Sequence, residues 1–470
     1  MGELPDRFGL APDRSLLRFV GGTVLAGGHP GRVTTLTPDG AAALDALIAG
    51  GTATDPAIRA MAGRLVDSGM AHPRRPTGVD PVRPVREVTV VVPVRDRPDA
   101  LDRCLTSLGT DHPVVVVDDA SYDPEALAAV CTTHGATIVR RNHNGGPGVA
   151  RNDALEKVAS ELVAFVDSDC TVSPGWLDGL TWLFDDPEIG AVAPRVVPAP
   201  PDTHRAVDRF ARAHSPLDLG PDEGEVGPRR AVRYVPTAAL VVRREALKAI
   251  GGFDPDLRVG EDVDLVWRLL DAGWRVRYQP AVTVAHAEPR RWIDLTARRF
   301  RYGTSAAPLA ERHPGRLAPV ELRPWPTVAA LAALVGRPRT AAAVVALSAA
   351  VLTHSVRPLG IPSRQAWTWS AQGAGWTLVG LGRASTMLAG PGLILLAFGG
   401  RRGRRAALAL AVLPPIVEWV RRRPDLDIFR WVVASAADDA AYGAGVWTSC
   451  LKAGTFGPVL PASRLWPGES

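Results

Sequence analysis

Cysteine is scarce. The chain of 470 residues carries four, Cys104, Cys131, Cys170 and Cys450, too far apart for a CxxC pair, a disulfide framework or a zinc-site spacing. Such usage suits a reducing compartment, so the cytoplasm is the expected location. The N-terminus, MGELPDRFGLAPDRS, lacks a basic stretch followed by an apolar core, and no secretory signal is expected. Charge of one sign is scarce too: 54 Lys and Arg against 49 Asp and Glu leave a net +5. That excess is too small and scattered to argue for nucleic acid, whereas anionic small molecules or an anionic membrane surface fit better. Also missing are the GKS or GKT ending of a phosphate-binding P-loop and the GxGxxG of a dinucleotide site. What remains is ordinary globular composition, 46% hydrophobic and 22% charged, over a length sufficient for two or three domains.

Against these absences stands ELVAFVDSDC at residues 161–170, an apolar run that stops at Asp167 and Asp169. Such a run reads as a buried strand of a parallel sheet, and acids at its C-terminal end fall where such sheets bind ligands. From residue 88 the pattern alternates. Strands at 88–94 (VTVVVPV), 113–119 (PVVVVDD), 136–140 (ATIVR) and 161–169 are separated by helical segments PDALDRCLTSLG, DPEALAAVCTTHG and GPGVARNDALEKVA. This alternation predicts right-handed crossovers and a parallel sheet covered on both faces, a nucleotide-binding α/β core.

Three places on that core carry chemistry. The ends of the first and second strands bring Pro93, Arg95, Asp118 and Asp119 to the edge where Asp167 and Asp169 emerge. Next, Gly145, Gly146 and Gly148 precede a helix that contains Arg151; Pro147 suits its first turn, and the free amides of such a terminus can face an anion. Third, Glu261 and Asp262 open a helix whose Val263, Val266, Leu269 and Leu270 keep helical spacing. Acids in a first turn also stabilise the helix dipole, so position alone does not establish catalysis.

The order VVVPVRDR, VVVDDAS, NGGPGVARN, FVDSD, GGFDPDLRVGEDVDLVWR and VAHAE resembles the family 2 inverting glycosyltransferases of GT-A fold, over about residues 86–300. The resemblance implies a Rossmann-like nucleotide-sugar-binding core, a UDP-sugar donor and a divalent metal, manganese or magnesium. It implies Asp169 as main metal ligand, Asp167 at the metal or the donor ribose, and His286 as an imidazole metal ligand. Asp119 and the 93–95 segment, with Pro93 and Arg95, would recognise uracil and ribose, and Arg151 would touch the nucleotide. Asp262 would be the base that takes the acceptor proton, with Glu261 orienting the acceptor or supporting Asp262. The RRW at 290–292 is similar to the QxxRW of processive synthases but lacks the glutamine.

Around this core, residues 1–76 predict short strands, with a hairpin in FVGGTVLAGG, and two helices, the second ended near residues 68–69 by a left-handed glycine. That order of elements resembles a small winged-helix, PqqD-like peptide-carrier domain. A proline-rich linker follows at 77–87, then the α/β domain at 88–317. At 318–470 the composition turns to Ala, Leu, Val, Trp and Arg, with apolar runs at about 326–336, 340–356, 384–400 and 406–420. These runs are shorter than a spanning helix or interrupted. The arginine clusters at 401–405 and 421–423 suit a helix lying at the inner face of the cell membrane, the other reading being a buried helical domain. The three parts together resemble the mycofactocin-system glycosyltransferases, which implies UDP-glucose as donor, a peptide-derived redox cofactor precursor as acceptor and a β-1,4-glucose product. Two other readings stay open: a membrane-associated glycosyltransferase acting on a lipid-linked or cell-wall acceptor, and a non-catalytic peptide-binding protein on a GT-A shell.

Overall fold

The structure, a computed structural model, describes residues 2–75, 86–200, 203 and 205–463; residues 77–85 of the expected linker lie outside it. The chain forms two compact units, one from Met1–Pro200 with Ser215–Glu288, the other from Pro201–His214 with Pro289–Ser470.

The first unit begins with a strand, Gly9–Pro12, that pairs antiparallel with Ala71–Arg74. Between them lie a three-stranded antiparallel sheet, Leu17–Phe19, Val24–Gly27 and Arg32–Thr35, and the helices Pro38–Ile48 and Pro56–Asp67. Each helix starts with proline at its first position, behind a capping side chain: Thr37 accepts from the Gly40 amide, Asp55 from Ala57 and Ile58. The left-handed residue after the second helix is Gly69, at φ +71°. Leu25, Leu44, Leu65 and Met70 fill the core of this part. Its Phe8 ring lies 5.4 Å from that of Trp182, and its His72 reaches Asp13 at 2.8 Å and Arg277 at 3.4 Å.

Among the described residues the central sheet has nine strands, eight in one row and the two-residue Gly224–Glu225 paired antiparallel with Arg275–His286. Thr137–Arg140, Val114–Asp118, Val88–Val94 and Leu162–Val166 lie side by side and parallel, in that order. Val88–Val94 is buried at every position, which is why it shows no alternation of polar and apolar residues. The four strands expected to be parallel are so, and past Leu162–Val166 the sheet becomes mixed. Ala239–Arg243 joins antiparallel, then Ile189–Pro198 antiparallel to that, then Arg275–His286 parallel to Ile189–Pro198, and finally Cys170–Val172 antiparallel at the edge. The cause is local. The turn at 167–169 is too short for a crossover, so the chain after the strand-end acids re-enters the sheet as the short edge strand Cys170–Val172.

The second unit is mainly helical, with Trp292–Gly303, Pro324–Leu334, Pro338–Val356, Ser363–Leu388, Gly390–Phe398, Gly400–Arg422 and Ile428–Ala453 among its elements. The segment between the apolar runs 340–356 and 384–400, with Trp367, Trp369 and Trp376, is itself helical, part of Ser363–Leu388. The run at 384–400 breaks instead, with a bend of 106° between Ser363–Leu388 and Gly390–Phe398. Pro338–Leu359 is the one helix among the described residues long and apolar enough, by length and composition, to cross a membrane. Ile428–Ala453 packs closely because two glycines face its neighbours. A Cβ on Gly443 would meet the Met387 carbonyl oxygen at 1.6 Å, and one on Gly445 the Phe300 carbonyl oxygen at 2.1 Å. His214 lies between two acids of this unit, 3.5 Å from both Glu418 and Asp438. Burial opposes charge on Glu418, but the bond and charge of His214, with Arg383 and Arg422, outweigh it and hold the carboxyl down to about 2.

Gly443→Ala is therefore expected to destabilise this unit by ~1–3 kcal/mol or more, because the helix has to move to admit one methyl group; a thermal melt equal to that of the unaltered chain would contradict the packing. The His214–Glu418 pair also predicts a pH window. Glu418, depressed from 4.5, contributes stability above that value and loses it as pH falls towards 2. His214, raised from 6.5, contributes below that value and loses it as pH rises through its folded pKa. Stability plotted against pH should fall on the acid side, and Glu418→Gln should flatten that limb.

Candidate active site

The parallel strands end together, and their carboxylates take different employment. Asp118 is wholly buried; it accepts from the Ser121 amide at 2.9 Å and pairs with Arg140, so it builds the turn after its strand. Asp119, expected at the uracil or ribose, accepts from the Gly145 and Gly146 amides, both at 2.9 Å, and from Arg141 at 2.6 Å. The glycine amides expected to face a bound anion thus already face one, the Asp119 carboxylate. Gly148 is a packing glycine: a Cβ there would sit 3.3 Å from Phe253 and 3.4 Å from Glu261. Pro93 is buried within its strand opposite Val117. Arg95 is at the surface, its guanidinium 5.7 Å over the exposed Tyr122 ring.

Arg151, expected to touch the nucleotide, lies inside the protein. It is 1% exposed, and its guanidinium bonds Asp167 Oδ1 at 2.6 Å and Glu261 Oε1 at 3.2 Å while lying 5.4 Å over the Phe253 ring. Its bonds tie the end of the Leu162–Val166 strand to the first turn of the Glu261–Asp271 helix. That helix starts behind Gly260, whose φ of +81° favours glycine. Of the acids in its first turn, Glu261 and Asp264 are buried and Asp262 is half-buried, its Oδ1 accepting from the Val263 amide at 2.8 Å. Burial and the neighbouring Asp262 charge push the Glu261 carboxyl up to about 7, against the pull of Arg151. Burial also raises Asp262, against the Val263 amide and Arg151.

Asp169 and His286 meet because the edge strand sets the register. Cys170 lies opposite His286 in the ladder, and the Ala287 amide donates to the Asp169 carbonyl at 3.1 Å. His286 Nε2 consequently lies 3.5 Å from Asp169 Oδ1. Its Nδ1 makes no hydrogen bond among the described residues and stands 3.7 Å from Glu288, itself held by Ser215 at 2.7 Å. Burial disfavours the imidazolium, but Glu288 and Asp169 outweigh it and raise its pKa.

No group of three or more His, Cys, Asp and Glu surrounds a metal position among the described residues. Asp169 and His286 nevertheless bring one hard oxygen and one imidazole nitrogen within 3.5 Å of each other. Such a pair fits a cation that takes its remaining ligands from water and phosphate. Asp167 is less free for this, since Arg151 holds its Oδ1.

One residue of this edge escaped the sequence reading. Arg97, two positions past Arg95 in PVRDR, donates to Asp169 Oδ2 at 2.7 Å. Its turn is anchored on Asp96, whose amide donates to Ser121 Oγ at 2.9 Å and whose carboxylate accepts from the Tyr122 amide at 2.7 Å. An arginine just after a strand was the available signal, but nothing in the spacing tells which acid it meets. Glu288, in the quoted VAHAE, was passed over for the same reason.

A cation bound at Asp169 would have to share or displace the Arg97 bond to Oδ2. Arg97→Ala is expected to tighten Mn2+ binding by about 5-fold in the absence of any nucleotide, the equivalent of removing an exposed ion pair worth ~1 kcal/mol. Electron paramagnetic resonance of free Mn2+ reads this directly, and an unchanged affinity would show that the pair does not compete.

Residues 84–305 match the family described as glycosyltransferase like family 2. Over 485 aligned residues, 98% of this chain and 99% of the relative, the chain is 36% identical to the pre-mycofactocin glycosyltransferases of Mycobacterium tuberculosis strains CDC 1551 / Oshkosh and ATCC 25618 / H37Rv. It is 31% identical to the O-antigen biosynthesis protein RfbC of Myxococcus xanthus over 261 residues, 50% of this chain and 20% of that one. Among solved structures, the mannosyltransferase PcManGT from Pyrobaculum calidifontis, in complex with GDP-Man and Mn2+, aligns over 64% of this chain and 88% of that one at 25% identity, with a TM-score of 0.39. A likeness that runs from end to end, through the strand-end acids and the acidic helix alike, makes this chain a glycosyltransferase of family 2.

Proposed function

We propose that the chain transfers a hexose, glucose in the first instance, from a UDP-sugar to a mycofactocin-type, peptide-derived cofactor precursor, with inversion and β-1,4 linkage. The observation that carries this reading is the near full-length likeness to glycosyltransferases named for that precursor. Family membership removes the non-catalytic alternative.

Inversion needs one base on the acceptor side. The acceptor hydroxyl attacks the anomeric carbon, the bond from that carbon to the diphosphate oxygen breaks, and the hydroxyl proton passes to a carboxylate. Asp262 takes that role, being the half-buried acid of its helix turn, while Glu261 is committed to Arg151 and supports it. A raised pKa makes Asp262 a stronger proton acceptor than an ordinary aspartate. A divalent cation held by Asp169 and His286 would stabilise the charge that develops on the departing UDP. Asp167 lies between that position and Arg151, and its free Oδ2 can face the metal or the ribose. Arg95, with Tyr122, offers a planar stacking surface to the uracil, and Pro93 sets the strand end from which Arg95 projects. Asp119 acts on the donor through the glycine loop that it holds. Arg151 becomes a positioning residue.

The domain division at 1–76, 77–87, 88–317 and 318–470 belongs to the same reading. Residues 1–76 act as a PqqD-like carrier that presents the peptide, and the chain works in the cytoplasm at the inner face of the cell membrane. A second reading, transfer to a lipid-linked or cell-wall acceptor, is favoured by the exposed apolar side chains of the second unit, Leu331, Leu347 and Leu395 among them.

With UDP-glucose, Mn2+ and the precursor, Asp262→Asn is expected to lower transfer by about 100-fold or more while UDP binding stays near that of the unaltered chain. Normal turnover by a folded Asp262→Asn protein would overturn the assignment. UDP release with lipid acceptors alone would favour the second reading.

A further inference from the structure

Between Glu321 and Glu418 the chain contains no Asp or Glu and ten Arg, at positions 323, 337, 339, 357, 364, 383, 401, 402, 404 and 405. A stretch this one-sided is not balanced from within, although the whole chain is only +5. At its centre lies Gly390–Phe398, GPGLILLAF, none of whose nine residues is buried. Ile394, Leu395 and Phe398 are 63%, 73% and 84% exposed. Contiguous apolar exposure of this kind marks an interaction surface. The helix is about 14 Å long and cannot cross an apolar layer of about 30 Å, and the 106° bend turns it off the line of Ser363–Leu388.

The arginines of RRGRR are held beside this tip. Gly403 is buried against it, where a Cβ would meet the Leu396 carbonyl oxygen at 2.2 Å, so the start of the Gly400–Arg422 helix closes on the end of Gly390–Phe398. Arg401, Arg402, Arg404 and Arg405 are all exposed, and none of them is ion-paired among the described residues. The run at 406–420, which the sequence suggested for the interface, supplies inward contacts instead: Ala406, Ala407, Leu410, Pro414 and Pro415 are its buried residues.

We propose that this tip is a docking element for an anionic lipid bilayer, Leu395 and Phe398 entering the boundary of the acyl chains and the four arginines binding phosphate headgroups. The inference deepens the inner-face localisation given above and rests on it. An apolar insertion of this depth with guanidinium groups at its rim is the arrangement that an interface with a negative surface potential favours. An acidic protein would pair the arginines but leave Leu395 and Phe398 in water, and a second copy of this acid-free surface would set arginine against arginine.

The test is co-sedimentation of the full chain with vesicles of phosphatidylcholine alone and of phosphatidylcholine mixed with phosphatidylglycerol. Preferential binding to the mixed vesicles, weakened by salt, is expected. Leu395→Glu with Phe398→Glu should abolish binding to both, and Arg401→Glu with Arg404→Glu should lower binding to the anionic vesicles by ~5-fold or more per arginine. UDP-sugar binding and the far-ultraviolet circular dichroism of both variants should match the unaltered chain, which separates a lost surface from a lost fold. Undiminished vesicle binding by the tip variants would overturn the tip and leave the membrane reading standing. Failure of the unaltered chain to bind any vesicle would overturn both, as would dimers in solution that the tip variants convert to monomers.

Discussion

The site depends on one buried charge. Arg151 is enclosed on all sides, and its guanidinium joins Asp167, 16 residues away, to Glu261, 110 residues away. Removing one partner from such a group leaves an uncompensated charge in a low-dielectric interior, which is far costlier than losing a surface ion pair. The arrangement therefore holds the strand end that carries Asp167 and Asp169 against the helix turn that carries Asp262. The Phe253 ring lies 5.4 Å under the guanidinium and covers one of its faces.

The acids of this edge are sorted by burial and by partner. Asp118 and Asp119 are closed off and hold turns; Asp119 in particular supplies, from within the chain, the negative charge that the glycine amides face. Asp167 and Glu261 meet on Arg151. Asp167, Asp169 and Asp262 are all half-buried, in contrast to the enclosed Asp118, Asp119 and Glu261. Arg97 on Asp169 adds a further cation to an edge where His286 and Arg151 already face the carboxylates.

The helical unit follows a different logic. Its inner contacts depend on small residues, Gly403, Gly443 and Gly445, at places where backbone meets backbone. With these contacts made by glycine and alanine, many large apolar side chains are left pointing outward, Trp325, Val328, Leu331 and Val335 along one stripe of the Pro324–Leu334 helix and its cap among them.

The sequence by itself determined the local elements. Valine runs without alternation announced buried strands, proline and a capping Thr or Asp marked helix starts, and Gly69 ended a helix as its lack of a Cβ permits. It also identified the residues of the edge, because acids at strand ends and in a first helical turn are visible as spacing. Only the tertiary structure decided whom they meet. The antiparallel half of the sheet, the register that sets His286 beside Asp169, the enclosure of Arg151 and the capture of the glycine amides by Asp119 all join residues that are far apart in the chain. Periodicity and capping report the surroundings of a residue over a turn or a strand. The choice of partner for a charged side chain is settled by burial and by the register of distant elements, and neither exists until the chain has folded.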